Sequence, residues 1–494
     1  MRGALDARRL SSVEVVEALL RRAADLDAPT SPTALRSVLA YSERALDEAR
    51  ASDSHRRTAG SAPRPLEGIP VLVKDNIEAV GLPATAGATS LVGRPPVADA
   101  PLVRRLRQAG AVILGATNLT EWANIRSTRS TGGWSAVGGL TANPWALDRN
   151  PGGSSSGSGA ALAAGLAPLA VGTETDGSIT CPASLNGVAG LKPAVGAVPT
   201  GGVVPISASQ DSPGPMARTA ADVALLYRVL AAGHRAPGSP TPDPSYPWDG
   251  PDGQDGPDRL DGLGVLVTGD VRVGVARTWY TGHPATDELF EEAVGRLRGS
   301  GWQVVDVAPP VPDASVEDDE MTVLLCELLT GLDAYLPTRG PGGPQSLAEV
   351  VAHERGHSGE ELAWFGHDLF ERALDLGGVG RDRYRQARAR NLEWARDRCL
   401  EPALSGIDVL VAPTYGPAWK SDLVLGGHPA LAAPTTTAPA IAGWPIATVP
   451  MGLAAGLPVG LGLIARPGRE LLLLAVGASV ERPDRPTWRP PGRG

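Results

Sequence analysis

Lysine is nearly absent from this sequence of 494 residues. Of its 45 Lys plus Arg residues only three are lysine (Lys74, Lys192 and Lys420), which leaves 42 arginines. Because an arginine side chain effectively cannot lose its proton whereas a lysine can, each lysine that persists is a candidate for a specific chemical role. Drift is the alternative explanation for any one of them taken alone.

Cysteine is also scarce, and long apolar runs are missing. Cys181, Cys326 and Cys399 lie far apart, so no pair has metal-ligand spacing, and three are too few for a disulfide framework. The sequence contains no run of 18 apolar residues, so we predict no transmembrane helix. The N-terminal sequence MRGALDARRL lacks the apolar stretch of a signal peptide. The net charge of −9 disfavours nucleic-acid and anionic-membrane partners. We therefore expect a cytoplasmic protein, and its oligomeric state stays open.

The order of predicted elements indicates an α/β architecture. Ser11 and Glu14 form a predicted capping box in a helical N-terminal segment of about residues 1–60. A segment rich in Pro, Gly and Asp at 235–262 predicts a surface insertion. Helices are predicted over 35–50, 102–108, 160–170 and 219–232, and strands over 70–73, 111–116, 271–276, 302–308, 407–413, 444–450 and 458–465.

Two loops rich in Gly and Ser flank the apolar helix predicted over 160–170. They read NPGGSSSGSGAAL at 150–162 and GTETDGSITCPASLNGVAGLKP at 172–193. Glycine permits backbone dihedrals that are closed to other residues, so such loops can direct several N–H groups at one point, as in an oxyanion hole. A hydroxyl placed beside those donors is a candidate nucleophile.

A serine nucleophile needs a base, and no histidine lies near either loop in the sequence. Proximity in space stays open, but nothing in the sequence indicates a Ser-His-Asp triad. Lysine is the other common base, provided that it is desolvated and lies near few carboxylates. Lys74 follows the apolar run GIPVLV and meets the first condition. Asp75 beside it would oppose a neutral amine unless its side chain faces elsewhere.

These motifs together resemble the amidase-signature family. The resemblance is carried by GGSSSGS, G-T-x-T-x-G-S-I and GLKP in the central block 150–193, by GIPVLVKDNI before it, and by GLPVGLGLI near the C-terminus. It runs from about residue 10 to 482 and implies a single amidase domain over 1–494. It also implies the amidase-signature fold, a large mixed β-sheet core covered by α-helices on both faces.

The resemblance implies a Ser-cisSer-Lys triad that hydrolyses a linear amide through an acyl-enzyme and releases ammonia, without a cofactor or a metal. Ser178, which ends the G-T-x-T-x-G-S motif, would be the nucleophile. Ser154 would be the bridging serine in a cis peptide, and Lys74 would be the base. The oxyanion hole would be formed by the main-chain amides of the nucleophile loop, Thr175, Asp176, Gly177 and Ser178.

Departures from the commonest family pattern bear on the substrate. Thr180 replaces an Arg that follows the nucleophile motif in many members, which removes one way of binding a carboxylate. The segments E-T-D-G-S-I-T-C-P, EWAN, GGWSA and PISASQDSPGPM are similar to the peptide-amidase branch, which removes the C-terminal carboxamide of peptides. We therefore expect a small-molecule or peptide amide as substrate. Asn124, Trp134 and Ser155 would contact it, with packing as an alternative for Trp134 and loop hydrogen bonding for Ser155.

Three other functions stay open. An amidotransferase-type subunit of the same fold would pass ammonia to a partner enzyme, and an acyl transferase would pass the acyl group to an amine. His353 and His357 formally fit the zinc-hydrolase motif H-E-x-x-H, although Gly356 is a poor helix residue and no third ligand is evident. Of the remaining lysines, Lys192 is interpreted as a loop or helix-end charge and Lys420 as a solvated charge.

Overall fold

The fold is described by a computed structural model. It covers residues 1–28, 30–31, 33–58, 62–234, 271–427, 433–481 and 490. The insertion predicted at 235–262 lies outside these described residues. Among them, no helix has the length and apolar character that crossing a membrane requires.

Thirteen β-strands lie within the described ranges, and eleven of them form one sheet. The strands are β1 Val38–Tyr41, β2 Pro70–Lys74, β3 Val112–Thr117, β4 Trp134–Ser135, β5 Gly139–Leu140, β6 Leu169–Glu174, β7 Ala189–Lys192, β8 Ser212–Ala217, β9 Arg272–Ala276, β10 Gln303–Val307, β11 Val409–Pro413, β12 Ile446–Ala454 and β13 Leu457–Ile464. The order in the large sheet is β1-β3-β2-β6-β8-β7-β12-β13-β11-β9-β10, and β4 pairs with β5 separately. Strand β2 runs parallel to β3 and β6, and β9 runs parallel to β10 and β11, whereas the other neighbours are antiparallel.

Sixteen α-helices lie in the same described ranges. They are α1 Arg2–Asp6, α2 Ser12–Leu26, α3 Ala45–Arg57, α4 Pro101–Gln108, α5 Ser156–Ala163, α6 Thr180–Asn186, α7 Ala220–Ala231, α8 Pro284–Gly299, α9 Ala314–Tyr335, α10 Leu347–Gly356, α11 Ser358–Glu361, α12 Asp368–Leu376, α13 Asp382–Leu392, α14 Glu401–Ala403, α15 Thr437–Ala442 and α16 Glu470–Val480. A π-helical segment, Glu393–Leu400, joins α13 to α14.

Helices cover the large sheet on both faces. Side chains alternate between the faces of a strand, so in β2 Val71 and Val73 enter one apolar core while Leu72 enters another. The first core takes its helical side chains mainly from α4, α7, α8 and α16, and the second from α2, α3, α5 and α6. The predicted architecture, a large mixed sheet between helical layers, is therefore confirmed.

Two element predictions are wrong in part. The segment predicted as a helix over 35–50 begins with strand β1, which lies antiparallel to β3 at the sheet edge, and the helix α3 starts only at Ala45. The helix predicted over 160–170 starts earlier, inside the Ser-rich loop, and ends at Ala163 because Gly165 adopts a φ of 70° and Pro168 follows. In the first case, pairing with a strand distant in the sequence decides the local structure. The capping box of Ser11 and Glu14 is confirmed.

Candidate active site

Lys74 and the two Gly/Ser-rich loops meet at the carboxyl ends of two parallel strands. Strand β2 ends at Lys74 and its neighbour β6 ends at Glu174, with Val73 opposite Val171 in the ladder. The loop after β6 leads into α6, and the loop 150–155 leads into α5 beside it. In open α/β sheets, ligands bind at this edge, outside the carboxyl ends of the strands.

Lys74 carries a buried amine that contacts Ser154. Its Nζ lies 2.7 Å from Ser154 Oγ, 2.9 Å from Thr173 Oγ1 and 3.2 Å from the Thr173 carbonyl oxygen, and the Gly153–Ser154 peptide is cis. Thr173 Oγ1 also accepts a hydrogen bond from Asn76 Nδ2 at 3.0 Å. A neutral amine has two N–H groups for the two oxygens of Thr173 and one lone pair for Ser154. The arrangement can therefore take a proton from the Ser154 hydroxyl.

The charge state of Lys74 is set by its burial. Burial lowers its pKa from 10.5 to about 7, although Asp211 and Glu174 act in the opposite direction. An amine with a pKa near neutrality is partly unprotonated at physiological pH, which a general base requires. The neighbouring Asp75 does not oppose this, because its carboxylate faces away and accepts hydrogen bonds from the N–H group and the hydroxyl of Thr85.

Ser178 is the accessible member of the predicted triad. The residue is 8% exposed, whereas Ser154 and Lys74 are 0% exposed, so Ser178 is the least buried of the three. The N–H of Ser155 donates to the Ser178 carbonyl at 3.0 Å, which fixes the two serine loops relative to each other. Gly177 has a φ of 78°, and a Cβ there would lie 2.5 Å from Tyr415 Oη, so the residue before the nucleophile must be glycine. A substrate can thus reach Ser178 while the other two groups stay shielded.

The segment after Ser178 is tied back to the end of β6. Glu174 Oε2 accepts hydrogen bonds from the N–H groups of Ile179 at 2.6 Å and Thr180 at 2.7 Å. The hydroxyl of Thr180 lies 3.1 Å from the same oxygen. The residue that replaces the family's Arg therefore directs its polar groups at Glu174, inside the loop.

The main-chain N–H groups of the nucleophile loop are candidates for the oxyanion hole. Thr175 Oγ1 donates to Asp211 Oδ1 at 2.7 Å, which anchors the start of the loop. Within the described parts of the chain, no acceptor is paired with the N–H groups of Thr175, Asp176, Gly177 and Ser178. These four predicted amides are therefore available to a negatively charged oxygen on a reacting carbonyl.

Two of the three predicted substrate contacts have other partners. The ring of Trp134 is 5% exposed and packs edge-on against Phe365 at 4.9 Å, with the Arg126 guanidinium 5.3 Å from its centre. The buried hydroxyl of Ser155 donates to the Thr173 carbonyl at 3.1 Å. The structure thus gives no support to substrate contacts by Trp134 and Ser155, and it favours the packing and loop-bonding alternatives.

Asn124 is an exposed residue at the end of a left-handed backbone segment. Trp122, Ala123 and Asn124 have φ values of 48°, 54° and 75°, a rare run for residues other than glycine. The segment is anchored by Trp122, whose Nε1 donates to Glu354 Oε1 at 3.2 Å. Such backbone conformations persist where the surrounding structure enforces them, often at functional sites. Asn124 remains a predicted substrate contact.

His353 and His357 are not arranged as a zinc-binding pair. Their rings stack with centroids 4.0 Å apart, and α10 ends before His357. His353 Nε2 lies 3.0 Å from Thr89 Oγ1, whereas Glu354 turns to the other side and pairs with His367 Nδ1 at 2.7 Å. The zinc-hydrolase alternative therefore has no geometric support.

In the described residues, one group of three carboxylates lies close enough to share a cation, Glu121, Glu354 and Glu361. Each of the three carboxylates already has a partner. Arg126 forms ion pairs with Glu121 and, at 3.3 Å, with Glu361, and His367 pairs with Glu354. Buried charges need such partners, so we interpret the group as a structural ion-pair network whose Arg126 contacts the ring of Trp134.

Several residues of the site were missed by sequence reasoning. Thr173 and Asn76 position the amine of Lys74, and Asp211 anchors the nucleophile loop. The first two lie inside the family motifs, and the need of a buried amine for acceptors was a signal that could have found them. The interpretation of Lys192 as a loop or helix-end charge is wrong, because it is the last residue of buried strand β7. Lys420, with a side chain 73% exposed, is a solvated charge as predicted.

Comparison with known proteins identifies the family. The Amidase family profile matches residues 14–474. A glutamyl-tRNA(Gln) amidotransferase subunit from Chloroflexus aurantiacus is 34% identical over 502 aligned residues, which cover 97% of this chain and 94% of that protein. The X-ray structure of native peptide amidase from Stenotrophomonas maltophilia is 39% identical with a TM-score of 0.84, covering 99% of this chain and 97% of that one. The peptide amidase PAM bound to the competitive inhibitor chymostatin is 39% identical with a TM-score of 0.86, covering 100% and 98%. This chain therefore belongs to the amidase family and is an enzyme that acts on amides.

Proposed function

We propose that this enzyme hydrolyses a neutral, peptide-like carboxamide through an acyl-enzyme and releases ammonia. The observation that carries the proposal is the buried amine of Lys74, 2.7 Å from Ser154 Oγ, beside the accessible Ser178. A buried amine with a pKa of about 7 can accept a proton, and Ser154 can pass one on.

The first half-reaction forms the acyl-enzyme. Ser154 gives its proton to Lys74 Nζ and takes the proton of Ser178, whose Oγ bonds to the carbonyl carbon of the amide. The carbonyl oxygen becomes an oxyanion that accepts hydrogen bonds from amides of the nucleophile loop, drawn from Thr175, Asp176, Gly177 and Ser178. The relay then returns a proton from Lys74 through Ser154 to the leaving nitrogen. The C–N bond breaks and ammonia leaves.

The second half-reaction uses the same groups in reverse. A water molecule gives a proton through Ser154 to Lys74, and its oxygen bonds to the acyl carbon. The ester bond to Ser178 breaks, the relay returns the proton to Ser178 Oγ, and the product acid leaves. Since Lys74 is neutral at the start of both halves, activity is expected only where its amine is unprotonated.

A neutral acyl group is favoured by the surroundings of Thr180. Its N–H and hydroxyl both face Glu174, so this position presents no positive charge to a substrate carboxylate. The likeness to two peptide amidase structures at 39% identity supports a peptide-like amide. The exposed Asn124 is the side chain that we propose as a substrate contact.

Ammonia transfer to a partner is a second candidate function. The amidotransferase subunit that is 34% identical over 97% of this chain supports it. In that function an acyl-enzyme forms on the same serine, but its acyl group comes from an amide such as glutamine, and the ammonia is used by another protein. The two candidates therefore differ in the substrate that the isolated chain turns over.

Ammonia release from a panel of amides tests the proposal. We expect the isolated wild-type protein to release ammonia from C-terminally amidated peptides faster than from glutamine, and Ser178→Ala to release none above background. Preference for glutamine would favour the amidotransferase alternative. Formation of hydroxamate with added hydroxylamine, in excess of the acid product, would favour acyl transfer. Full turnover by Ser178→Ala would contradict the proposal.

A further inference from the structure

Lys192 is a second buried lysine, and the steps above do not involve it. Its side chain is 0% exposed, and within the described residues its Nζ has no hydrogen-bond acceptor. A buried ammonium without compensation is costly, and this chain uses arginine at nearly all of its positive positions. The charged groups around Lys192 therefore determine its role.

Lys192 and Glu174 lie on the same face of the sheet, because Gly190 of β7 is opposite Met216 of β8 and Ser212 of β8 is opposite Glu174 of β6. Four carboxylates from different segments act electrostatically on the Lys192 amine. Burial lowers its pKa, and these four carboxylates raise it. They come from the end of β6, the nucleophile loop, the segment before β8 and the helix α9: Glu174, Asp176, Asp211 and Glu320. Burial raises the pKa of Glu320 well above its ordinary value, and Gln210 donates a hydrogen bond to it at 2.8 Å, so Glu320 contributes least to the negative charge. Burial also raises the pKa values of Asp176 and Asp211 to about 6, so these two remain largely ionised at pH 7.

Two of the same carboxylates act on the amine of Lys74. Glu174 and Asp211 favour the charged form of Lys74, against burial. The two lysines thus share two acids, one at the end of the strand that precedes the nucleophile and one that anchors the nucleophile loop.

Glu174 and Asp211 are needed as hydrogen-bond acceptors, because they hold the nucleophile loop in place. Glu174 binds the N–H groups of Ile179 and Thr180, and Asp211 binds the hydroxyl of Thr175. Asp176 follows Glu174 by two residues in the nucleophile loop, and its Oδ1 has no hydrogen-bond partner within the described part of the chain. Negative charge that organises the loop would by itself favour a protonated Lys74 and so disable the base.

We infer that Lys192 is the counter-cation of these carboxylates and a positioning residue for catalysis, which lets Glu174 and Asp211 hold the nucleophile loop while Lys74 remains a neutral amine. The inference rests on the proposed role of Lys74 as the base. A positive charge near the shared acids offsets their attraction for a proton on Lys74, and the effect is strong because the site is shielded from water.

The pH dependence of kcat/KM for an amidated peptide tests this role. The wild-type profile is expected to rise through the pKa of Lys74, near 7. In Lys192→Met the midpoint of this rise should move up by about one pH unit, so kcat/KM falls about fivefold at about pH 7 and recovers near pH 9. Lys192→Arg, which keeps the charge, should retain the wild-type midpoint. Lys420→Met, a change at an exposed lysine, is the matched control and should leave the profile unchanged.

A compensating variant keeps the test decisive where Lys192→Met does not fold. Glu174→Gln removes one shared negative charge and keeps an acceptor, so its midpoint should move down. Lys192→Met/Glu174→Gln removes one charge of each sign, and its midpoint should return to within about 0.3 units of the wild type.

An activity loss in Lys192→Met that is equal at all pH values, or an unmoved midpoint in Glu174→Gln, would overturn the inference. These outcomes leave the proposed function intact. The proposed function would fail separately if the wild type released no ammonia from any amide.

Discussion

At the scale of the residue, the chemistry depends on the hydrogen bonds that the amine of Lys74 can donate and accept. Lys74 Nζ has three oxygen neighbours, the hydroxyls of Ser154 and Thr173 and the Thr173 carbonyl, and we place the Ser154 hydroxyl in the relay because its loop meets that of Ser178. Lys74 could be identified as the base from the sequence, because it is one of only three lysines, it follows an apolar run and it lies in a family motif. Its partners Thr173 and Asn76 were not predicted, because hydrogen bonds between strands are not encoded in local spacing.

Replacement of Lys74 by arginine should be as damaging as replacement by alanine. Arginine keeps the positive charge but cannot accept the Ser154 proton at accessible pH. We expect Lys74→Arg and Lys74→Ala each to lose roughly 10³-fold in kcat/KM for an amidated peptide. Lys420→Arg serves as the control and should keep wild-type activity. A Lys74→Arg enzyme with near-wild-type turnover would show that this amine is not the base.

At the scale of the element, two short connections, one at the end of β6 and one before α5, form the site. Seven of the eleven strands of the large sheet were predicted, among them β2, β3, β11, β12 and β13, because they are short apolar runs. Strands β1, β6, β7 and β8 were not predicted, and the start of β6 was predicted as helix. The start of α5 was missed, because Ser and Gly residues are weak helix formers and only their surroundings select a helix there. A Cβ on Gly157, for example, would lie 2.1 Å from the Ser37 carbonyl oxygen, so glycine allows the close approach to the start of β1.

Gly177→Ala should lose activity because of local crowding and not only because of its backbone conformation. The added methyl group would collide with Tyr415 Oη and displace the amides on either side of it. We expect a fall in kcat of roughly 100-fold or more. Gly456→Ala is a matched control, since Gly456 has a similar φ of 79° with nothing within 4 Å. It should keep its kcat, and an equal loss in both variants would contradict the explanation.

At the scale of the whole molecule, a buried titratable lysine reduces stability for the sake of activity. The sheet covered by helices on both faces could be predicted from the apolar runs and the family motif. The pairing of β1 at the sheet edge could not, because it depends on contacts between residues far apart in the chain. The same long-range packing buries Lys74, and burial in the folded protein holds its pKa at about 7 against 10.5 when unfolded.

Lys74→Met should therefore be more stable than the wild type at low pH. Below pH 7 the amine is charged in both states, and the folded protein bears the desolvation cost. Between the two pKa values the unfolded chain binds the extra proton, so wild-type stability rises with pH relative to the variant. We expect the unfolding midpoint of Lys74→Met to exceed that of the wild type by a few °C at about pH 6, and the gap to narrow towards about pH 10. A gap that widens with pH would contradict a buried, uncharged base.

The covalent intermediate gives the most direct test of the central claim that Ser178 attacks an amide with help from Ser154 and Lys74. The measurement is the intact mass of the protein, quenched within the first turnover with an amidated peptide, followed by peptide mapping. We predict one acyl group per chain on Ser178, with one ammonia released for each, and no adduct in Ser178→Ala. An adduct on another residue, or steady ammonia release without any adduct in a Ser178→Ala enzyme, would contradict it.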